Sequence, residues 1–397
     1  MEIPAKSRKQ PTITSVDRRF VECVSVCRGT HQVRRREFVK NVCSLACATF
    51  IYGRRLGATP RKRLLVIGGT DFVGPAVVEA GVIAGYQVAL FNRGVTNPGL
   101  FPTLEHIRGY RSADAKDQGF SGLAGRTWDA AVDVWPSDPV MVQTMAEFLR
   151  GRVGHYLFVS SGAAYQNFGQ PGINENDALR PFRAGVPNYS DGKAESERRL
   201  NAIFGPKLTI VRPCSIDGYR NDGANLQTWL TRFQRGGSRI APGTGKELTQ
   251  FIDTKDVGRF LAHAIERSLL GAFNVVGEPE PFRDFIEACK SATDSSLELV
   301  SVPEDFLREQ DADYARFFPF WQNRTLPEGF YQMNGAKARK TGWRCRAFSE
   351  TAADTLQWYR EREGMLPTAN GNAGHWQDPL SETREAEIIR RWRTRQG

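Results

Sequence analysis

Three side chains carry the chemistry that is legible first in this chain. Ser161 closes the run Phe158-Val159-Ser160-Ser161, and Tyr189 and Lys193 stand four residues apart in Tyr189-Ser190-Asp191-Gly192-Lys193. On a helix that spacing puts phenol and ammonium one turn apart on one face. A nearby ammonium favours the phenolate, lowering the tyrosine pKa towards working pH. Such a tyrosine accepts a carbinol proton as hydride leaves carbon, or donates it in the reverse direction. A place for the hydride carrier lies upstream. The segment Leu64-Leu65-Val66-Ile67-Gly68-Gly69-Thr70-Asp71-Phe72-Val73-Gly74 reads as strand, glycine turn and helix start. That order sets a dinucleotide pyrophosphate on free N–H groups at the positive end of a helix dipole.

Within the turn, Gly68 allows a tight bend and Gly74 allows close packing of helix on strand, with Thr70, Phe72 and Val73 completing the loop. Asp71 occupies the middle glycine position. A carboxylate beside a pyrophosphate is unfavourable unless it turns away, as an N-cap of the following helix would. The next strand ends in Asn92-Arg93, where an NAD enzyme places a ribose-binding acid. Arg93 would instead give a 2′-phosphate a charge-assisted partner, which favours NADP over NAD. The competing reading of Arg93 is a solvated turn residue.

The elements that must position these groups alternate in type. Strands are expected at Arg63–Ile67, Gln87–Phe91, around Ile107, and at Ala130–Val134, His155–Val159 and Leu208–Val211. Helices are expected at Gly74–Ala84, Val140–Leu149 and Tyr189–Phe204. The alternation predicts an α/β fold, a Rossmann-type doubly wound parallel sheet with a smaller C-terminal α/β lobe for substrate. Residues 61–213 then form the dinucleotide-binding domain and 214–366 the mixed lobe, with strands 251–253 and 272–276 returning to the core. Asn225–Gln234 and Asp256–Arg267 read as helices and Gly236–Gly245 as a glycine-rich loop. The aromatics Phe317, Phe318, Phe320 and Trp321 read mainly as core. Residues 367–397 form a polar tail ending in an exposed helix capped by Ser381.

Charge separates a leader from the body. Residues 1–60 hold twelve Lys and Arg against four Asp and Glu, a net of +8, so the other 337 residues carry only +2 of the total +10. A nearly neutral body argues against a phosphate-binding surface, and no nucleic-acid partner is expected. Arg35-Arg36-Glu37-Phe38-Val39-Lys40, an uncharged stretch from Asn41 to Tyr52 and then Leu56-Gly57-Ala58 resemble a twin-arginine export signal, which implies an exported, periplasmic protein. The competing readings are a disordered basic extension and a cytoplasmic protein. Twelve uncharged residues are too few to span a bilayer, which takes about 20. Of seven cysteines, Cys23, Cys27, Cys43 and Cys47 lie in the leader, and Cys214, Cys289 and Cys345 are scattered through the body. No spacing suggests a disulfide framework or a metal site.

Taken in order, the glycine turn, Ser160-Ser161, Tyr189/Lys193, Val211-Arg212-Pro213 and Phe251-Ile252-Asp253 followed by Asp256-Val257 resemble the extended branch of the short-chain dehydrogenase/reductase superfamily, the epimerase/dehydratase type. The resemblance covers about residues 62–280. It implies that Tyr189 is the acid/base and that Lys193 also holds the nicotinamide ribose. Ser161 would bond the substrate oxygen, supported by Ser160, and Pro213 would lie beside the nicotinamide. Relatives of this type act mostly on nucleotide-linked sugars and grip the pyrophosphate with an arginine before the Phe-Ile strand; here stand Thr249-Gln250, with Arg220, Arg232 and Arg235 as unassigned substitutes. Gly162-Ala163-Ala164-Tyr165 offers no carboxylate for dehydration. An epimerase, or a reductase or dehydrogenase of a sugar-like small molecule, remains, with a homodimer as the possible assembly. Export would favour a cofactor retained through the cycle, as in an epimerase. Reduction of a non-sugar carbonyl, RNA binding and NADP sensing without catalysis are the rivals.

Overall fold

The computed structural model describes residues 61–111, 119–134, 138–183, 188–221, 224–312, 317–363 and 380–397. The leader with its paired arginines lies outside the described residues. Seven parallel strands make the central sheet: β1 (Arg63–Ile67), β2 (Gln87–Asn92), β3 (Glu105–Arg108), β4 (Trp128–Asp133), β5 (Val153–Val159), β6 (Leu208–Pro213) and β7 (Gly271–Val275). Their spatial order is β7-β6-β5-β4-β1-β2-β3. The order reverses at β1, so a crevice opens beyond the carboxyl ends of β1 and β4, the place where doubly wound sheets bind ligands.

Helices cover both faces, which explains why β1 is apolar at successive residues rather than at alternate ones. Leu64 and Val66 pack with Val73, Val77 and Val78 of helix α1 (Val73–Ile83) and with a helix over Thr254–Arg267. Leu65 and Ile67 point the other way, onto α2 (Pro139–Leu149) and α3 (Tyr189–Phe204). Gly258 brings the Thr254–Arg267 helix against α1 so closely that an added Cβ would lie 2.4 Å from the Ala76 carbonyl oxygen. Caps fix where two helices begin. The Asp138 carboxylate accepts from the N–H groups of Val140 and Met141 at 2.9 and 3.2 Å. Asn188 and Asp191 bond reciprocally at the start of α3: the Asp191 N–H donates to Asn188 Oδ1 at 2.9 Å, and Asn188 Nδ2 donates to the Asp191 carboxylate at 3.0 Å.

The second half is built around rings. Trp229, Phe233, Phe251, Phe282, Phe285, Phe318, Phe320 and Trp321 form one buried cluster, so the aromatic run at 317–321 is core as expected. Three expectations change. Gly236–Gly245 is not a loop throughout: Gly237–Pro242 is a strand paired in parallel with Leu297–Val302. Glycines with positive φ at 236, 237, 243 and 245 flank the strand and mask the buried Ile240 between them. Of the two returning strands, only β7 joins the central sheet; Ile252–Asp253 pairs with Ile216–Asp217 as a separate two-residue ladder. The terminal helix, Glu382–Gln396, is capped by Ser381 but is not simply exposed. Ile388 and Ile389 are buried, and the buried Glu385 accepts the Ile240 N–H at 2.9 Å. Among the described residues no helix is long and apolar enough to cross a membrane.

His155 ties the far side of the sheet together. Its imidazole bonds the Thr209 hydroxyl at 2.7 Å, and that hydroxyl donates to the Leu269 carbonyl. Burial holds the imidazole down to about 4, so it is neutral in the folded protein. The unfolded chain takes up the proton near pH ~6.5. The stability this group contributes is therefore complete above that pH and is lost as pH falls towards the folded value. Urea-unfolding midpoints measured across this window should fall with pH in the native protein and fall less steeply in His155→Gln; equal slopes would remove His155 from the acid response.

Candidate active site

A cleft of about 630 Å³ opens over the glycine turn, the end of β2, and the Ser160, Tyr189 and Lys193 side. Its floor begins at Gly68, whose φ is +111° and whose added Cβ would lie 2.5 Å from Val134. Gly74 touches the turn directly: an added Cβ would stand 2.7–2.8 Å from the Gly69 backbone. Close approach of backbone to backbone, rather than helix against strand, is what requires glycine there. Thr70 is buried, and its carbonyl accepts from Asn97 Nδ2 at 2.8 Å. Val73 is buried as the first residue of α1.

Asp71 does not cap α1. Its carboxylate accepts only the neighbouring Phe72 N–H at 3.1 Å, while its carbonyl accepts the Gly74 N–H at 2.9 Å. Phe72 precedes the helix at φ +50° and ψ −112°, and no side chain caps the helix. No side chain competes at the helix start, but Gly74 donates to Asp71 and Pro75 has no N–H, so of the first three positions only Val73 is left to offer one towards the cleft. The residues fit a dinucleotide: a glycine cradle that a Cβ would fill, at the start of a helix that no side chain caps.

Asn92 links the two loops instead of meeting a ribose. Its Nδ2 donates to the Gly68 carbonyl at 3.0 Å and its Oδ1 accepts the Gly94 N–H at 2.8 Å. Arg93 is exposed and lines the cleft rim. Arg108, which the sequence did not single out, lays its guanidinium over Gly94, where an added Cβ would come within 0.6 Å of Nη1. Pro213 does not line the cleft; it is buried at the end of β6, with its carbonyl 3.3 Å from where a Gly162 Cβ would stand. Ile216, three residues on, lines the cleft in its place.

Ser161, Tyr189 and Lys193 lie together on one side of the cleft. Ser161 Oγ accepts the Ala163 N–H at 3.1 Å, which caps a short turn and orients the hydroxyl. That hydroxyl bonds the Tyr189 phenol, an interaction favouring the phenolate. Tyr189 is still 48% exposed, and the partial loss of solvent around its phenol pushes the other way, holding it above its ordinary value. Lys193 stands one turn along the helix from Tyr189. Its Nζ donates to the Val159 carbonyl at 2.6 Å and sits 4.7 Å from the Phe158 ring centre and 5.8 Å from that of Tyr189. It is 2% exposed, and burial brings its pKa down to about 7.

Ser160 is spoken for. Its hydroxyl donates to Glu197 at 2.5 Å, and Arg212 grips the same carboxylate through Nε at 3.1 Å and Nη2 at 2.6 Å. Arg212 Nη1 also donates to the Tyr165 hydroxyl at 2.9 Å, which in turn donates to Asn274 at 2.7 Å. Ser160 supports the floor from within this network and does not present a free hydroxyl to substrate. Arg111, Asp133 and Tyr156 belong to the site's foundations with Glu197, and the sequence did not single out those three. Asp133, a carboxylate ending the apolar run Trp128–Asp133, was the visible signal.

Residues 119–275 match the NAD dependent epimerase/dehydratase family. The match spans 157 of the 397 residues, and the family is one of nicotinamide-dependent enzymes of the short-chain dehydrogenase/reductase type. Among relatives, the chain is 26% identical over 255 residues to the chloroplast stem-loop binding protein of 41 kDa b of Arabidopsis thaliana, covering 60% of this chain and 65% of that protein. It is 24% identical over 300 residues to 2'-dehydrokanamycin reductase of Streptomyces kanamyceticus, covering 70% of this chain and 82% of the relative. Two solved structures share the fold. The Bordetella bronchiseptica enzyme WbmH in complex with NAD+ has a TM-score of 0.57 at 16% identity, covering 77% of this chain and 100% of that one. UDP-N-acetylglucosamine 4-epimerase from Bacillus cereus has 0.57 at 14%, covering 79% and 99%.

The contact between Gly74 and Gly69 is a backbone-to-backbone one that leaves no room for a side chain. Gly74→Ala should destabilise the protein by about 1–3 kcal/mol through overpacking. It should also weaken dinucleotide binding, measured by thermal unfolding and by NADPH fluorescence titration. Unchanged binding with unchanged stability would mean that the turn opens at little cost.

Proposed function

We propose that this protein interconverts a secondary alcohol and a carbonyl on a sugar-like small molecule, with NADP as the favoured cofactor. The observation that carries this reading is the pairing of Tyr189 with Lys193 on the wall of a cleft whose other end is a phosphate-type glycine turn. The chemistry supplied by a bound nicotinamide is hydride transfer at the reacting carbon. Tyr189, held above its ordinary pKa, keeps its proton at neutral pH and donates it to the carbonyl oxygen in reduction; in the reverse direction the phenolate takes the carbinol proton and the phenol is restored. Ser161 orients that oxygen. Lys193, on the cleft floor one turn along α3, would hold the ribose hydroxyls.

The substrate reading draws on the lobe beyond β6. Gln250 stands where nucleotide-sugar enzymes carry an arginine, and its amide is fully used: Nε2 donates to the carbonyls of Gly277 and Met333 at 2.8 and 2.9 Å, and Oε1 accepts the Met333 N–H at 2.9 Å. The substitute arginines are engaged too. Arg232 is buried 5.5 Å from the ring centres of both Trp229 and Phe318, Arg235 pairs with Glu382 at 3.2 Å, and Arg220 donates to the Tyr219 hydroxyl at 2.8 Å. These contacts favour a substrate without a nucleotide diphosphate, a reading in keeping with a relative named as a reductase. For the cofactor, Arg93 lines the cleft rim and Arg108 lays its guanidinium over the neighbouring Gly94, which favours a 2′-phosphate.

A second reading follows from the stem-loop binding relative. Stem-loop RNA binding that weakens steeply with salt, in a protein that takes up no NADPH, would replace the oxidoreductase reading.

Tyr189→Phe should cut turnover by about 10²–10⁴-fold with cofactor affinity nearly unchanged, measured by steady-state rates and NADPH titration; retained turnover would refute the assigned role. Arg93→Asp should weaken NADP by about 10–100-fold relative to NAD, the loss of one charged hydrogen bond. An unchanged ratio of the two affinities would show that Arg93 does not read the phosphate.

A further inference from the structure

We propose that Asp133, clamped by Arg111 and Tyr156 beneath the cleft, is a positioning residue that keeps Lys193 in its ammonium form. Asp133 is the last residue of β4 and is fully buried. Arg111, from the segment after β3, donates to both of its carboxylate oxygens, with Nη1 to Oδ2 at 2.9 Å. The Tyr156 hydroxyl donates to Oδ2 at 2.7 Å. Strand pairing places Asp133 directly beside Phe158, over whose ring the Lys193 ammonium sits. Arg111 and Lys193 line the same cleft.

The Val159 carbonyl and the rings of Phe158 and Tyr189, which Lys193 contacts, are neutral. A carbonyl and a ring do not compensate for the burial of a full charge. Two carboxylates act on the lysine: Asp133 from β4 and Glu197, one turn along its own helix. Both favour the ammonium, while Arg111 and burial oppose it. Glu197 is opposed by Arg212 from β6 and bonded by Ser160 from β5. Tyr156 from β5 and Tyr189 from α3 complete the titratable surroundings. Each carboxylate is thus shared with an arginine, and the state of Lys193 depends on a small difference between large opposing charges. Such a balance shifts by about a pKa unit or more when one charge is removed.

The removal of either partner of the Arg111–Asp133 pair gives opposite signs, which general damage to the fold would not. In the full-length protein, the 15N-labelled side-chain amine of Lys193, assigned through its loss in Lys193→Arg, is titrated by NMR. Asp133→Asn should move its midpoint down, and Arg111→Met should move it up. NADPH affinity, lost as the ammonium deprotonates with rising pH, should fail at lower pH in the first variant and at higher pH in the second. Midpoints that move the same way, or not at all, overturn the proposal. If Asp133→Asn does not fold, the upward shift in Arg111→Met decides alone. This inference rests on the oxidoreductase reading for its consequence in cofactor binding, but the lysine titration requires no turnover. Opposite shifts in a protein without oxidoreductase activity would uphold the charge balance and sink only the proposed function.

Discussion

Burying the Lys193 ammonium is the constraint on which the cleft floor depends. A charge placed among Phe158, Val159 and Tyr189 would be lost to neutralisation without carboxylates nearby. Those carboxylates are themselves buried, so each needs a cation and hydrogen bonds of its own. Arg111 and Tyr156 meet that need for Asp133, and Arg212 and Ser160 for Glu197. Helix α3 shows the consequence. Its sequence is strongly polar, yet Asp191, Lys193, Ser196 and Glu197 are all buried. The helix is held against the sheet as much by these satisfied charges as by Ala194, Leu200 and Phe204.

The fold and the reacting groups were legible because their signals are local. Strand–turn–helix with Gly68 and Gly74, and the four-residue step from Tyr189 to Lys193, depend on spacing within one segment. The central layers follow from apolar runs that both faces of a parallel sheet demand. What was hidden is assembled across long separations. Asp133, Arg111, Tyr156 and Arg212 come from β4, the segment after β3, β5 and β6, and no pattern within one segment predicts that they meet. The same applies to Arg108 over Gly94. Pro213 follows an expected motif but is carried past the cleft by the register of β6, and Ile216 takes the wall. The terminal helix misled for another reason: a basic, polar composition concealed Ile388, Ile389 and an inward Glu385 whose partner, Ile240, lies in a strand disguised by flanking glycines.

The departure at Asp71 has a local physical explanation. A glycine at the middle of such a turn keeps the loop free of side chains near the anion. Here the backbone strain moves one residue on, to Phe72, whose φ of +50° is one that a bulky residue adopts only at a cost of about 1–3 kcal/mol. That cost must be met by neighbours, and the neighbours are visible. Gly74 closes the turn onto Asp71 and packs on Gly69, Thr70 is held by Asn97, and α1 is pressed from behind through Ala76 and Gly258. The Asp71 carboxylate bonds the Phe72 N–H on the exposed side and stays off the helix start. A turn strained and braced in this way holds its shape without ligand. An incoming phosphate would therefore find the turn already in place, and ordering the loop would take little from the binding energy.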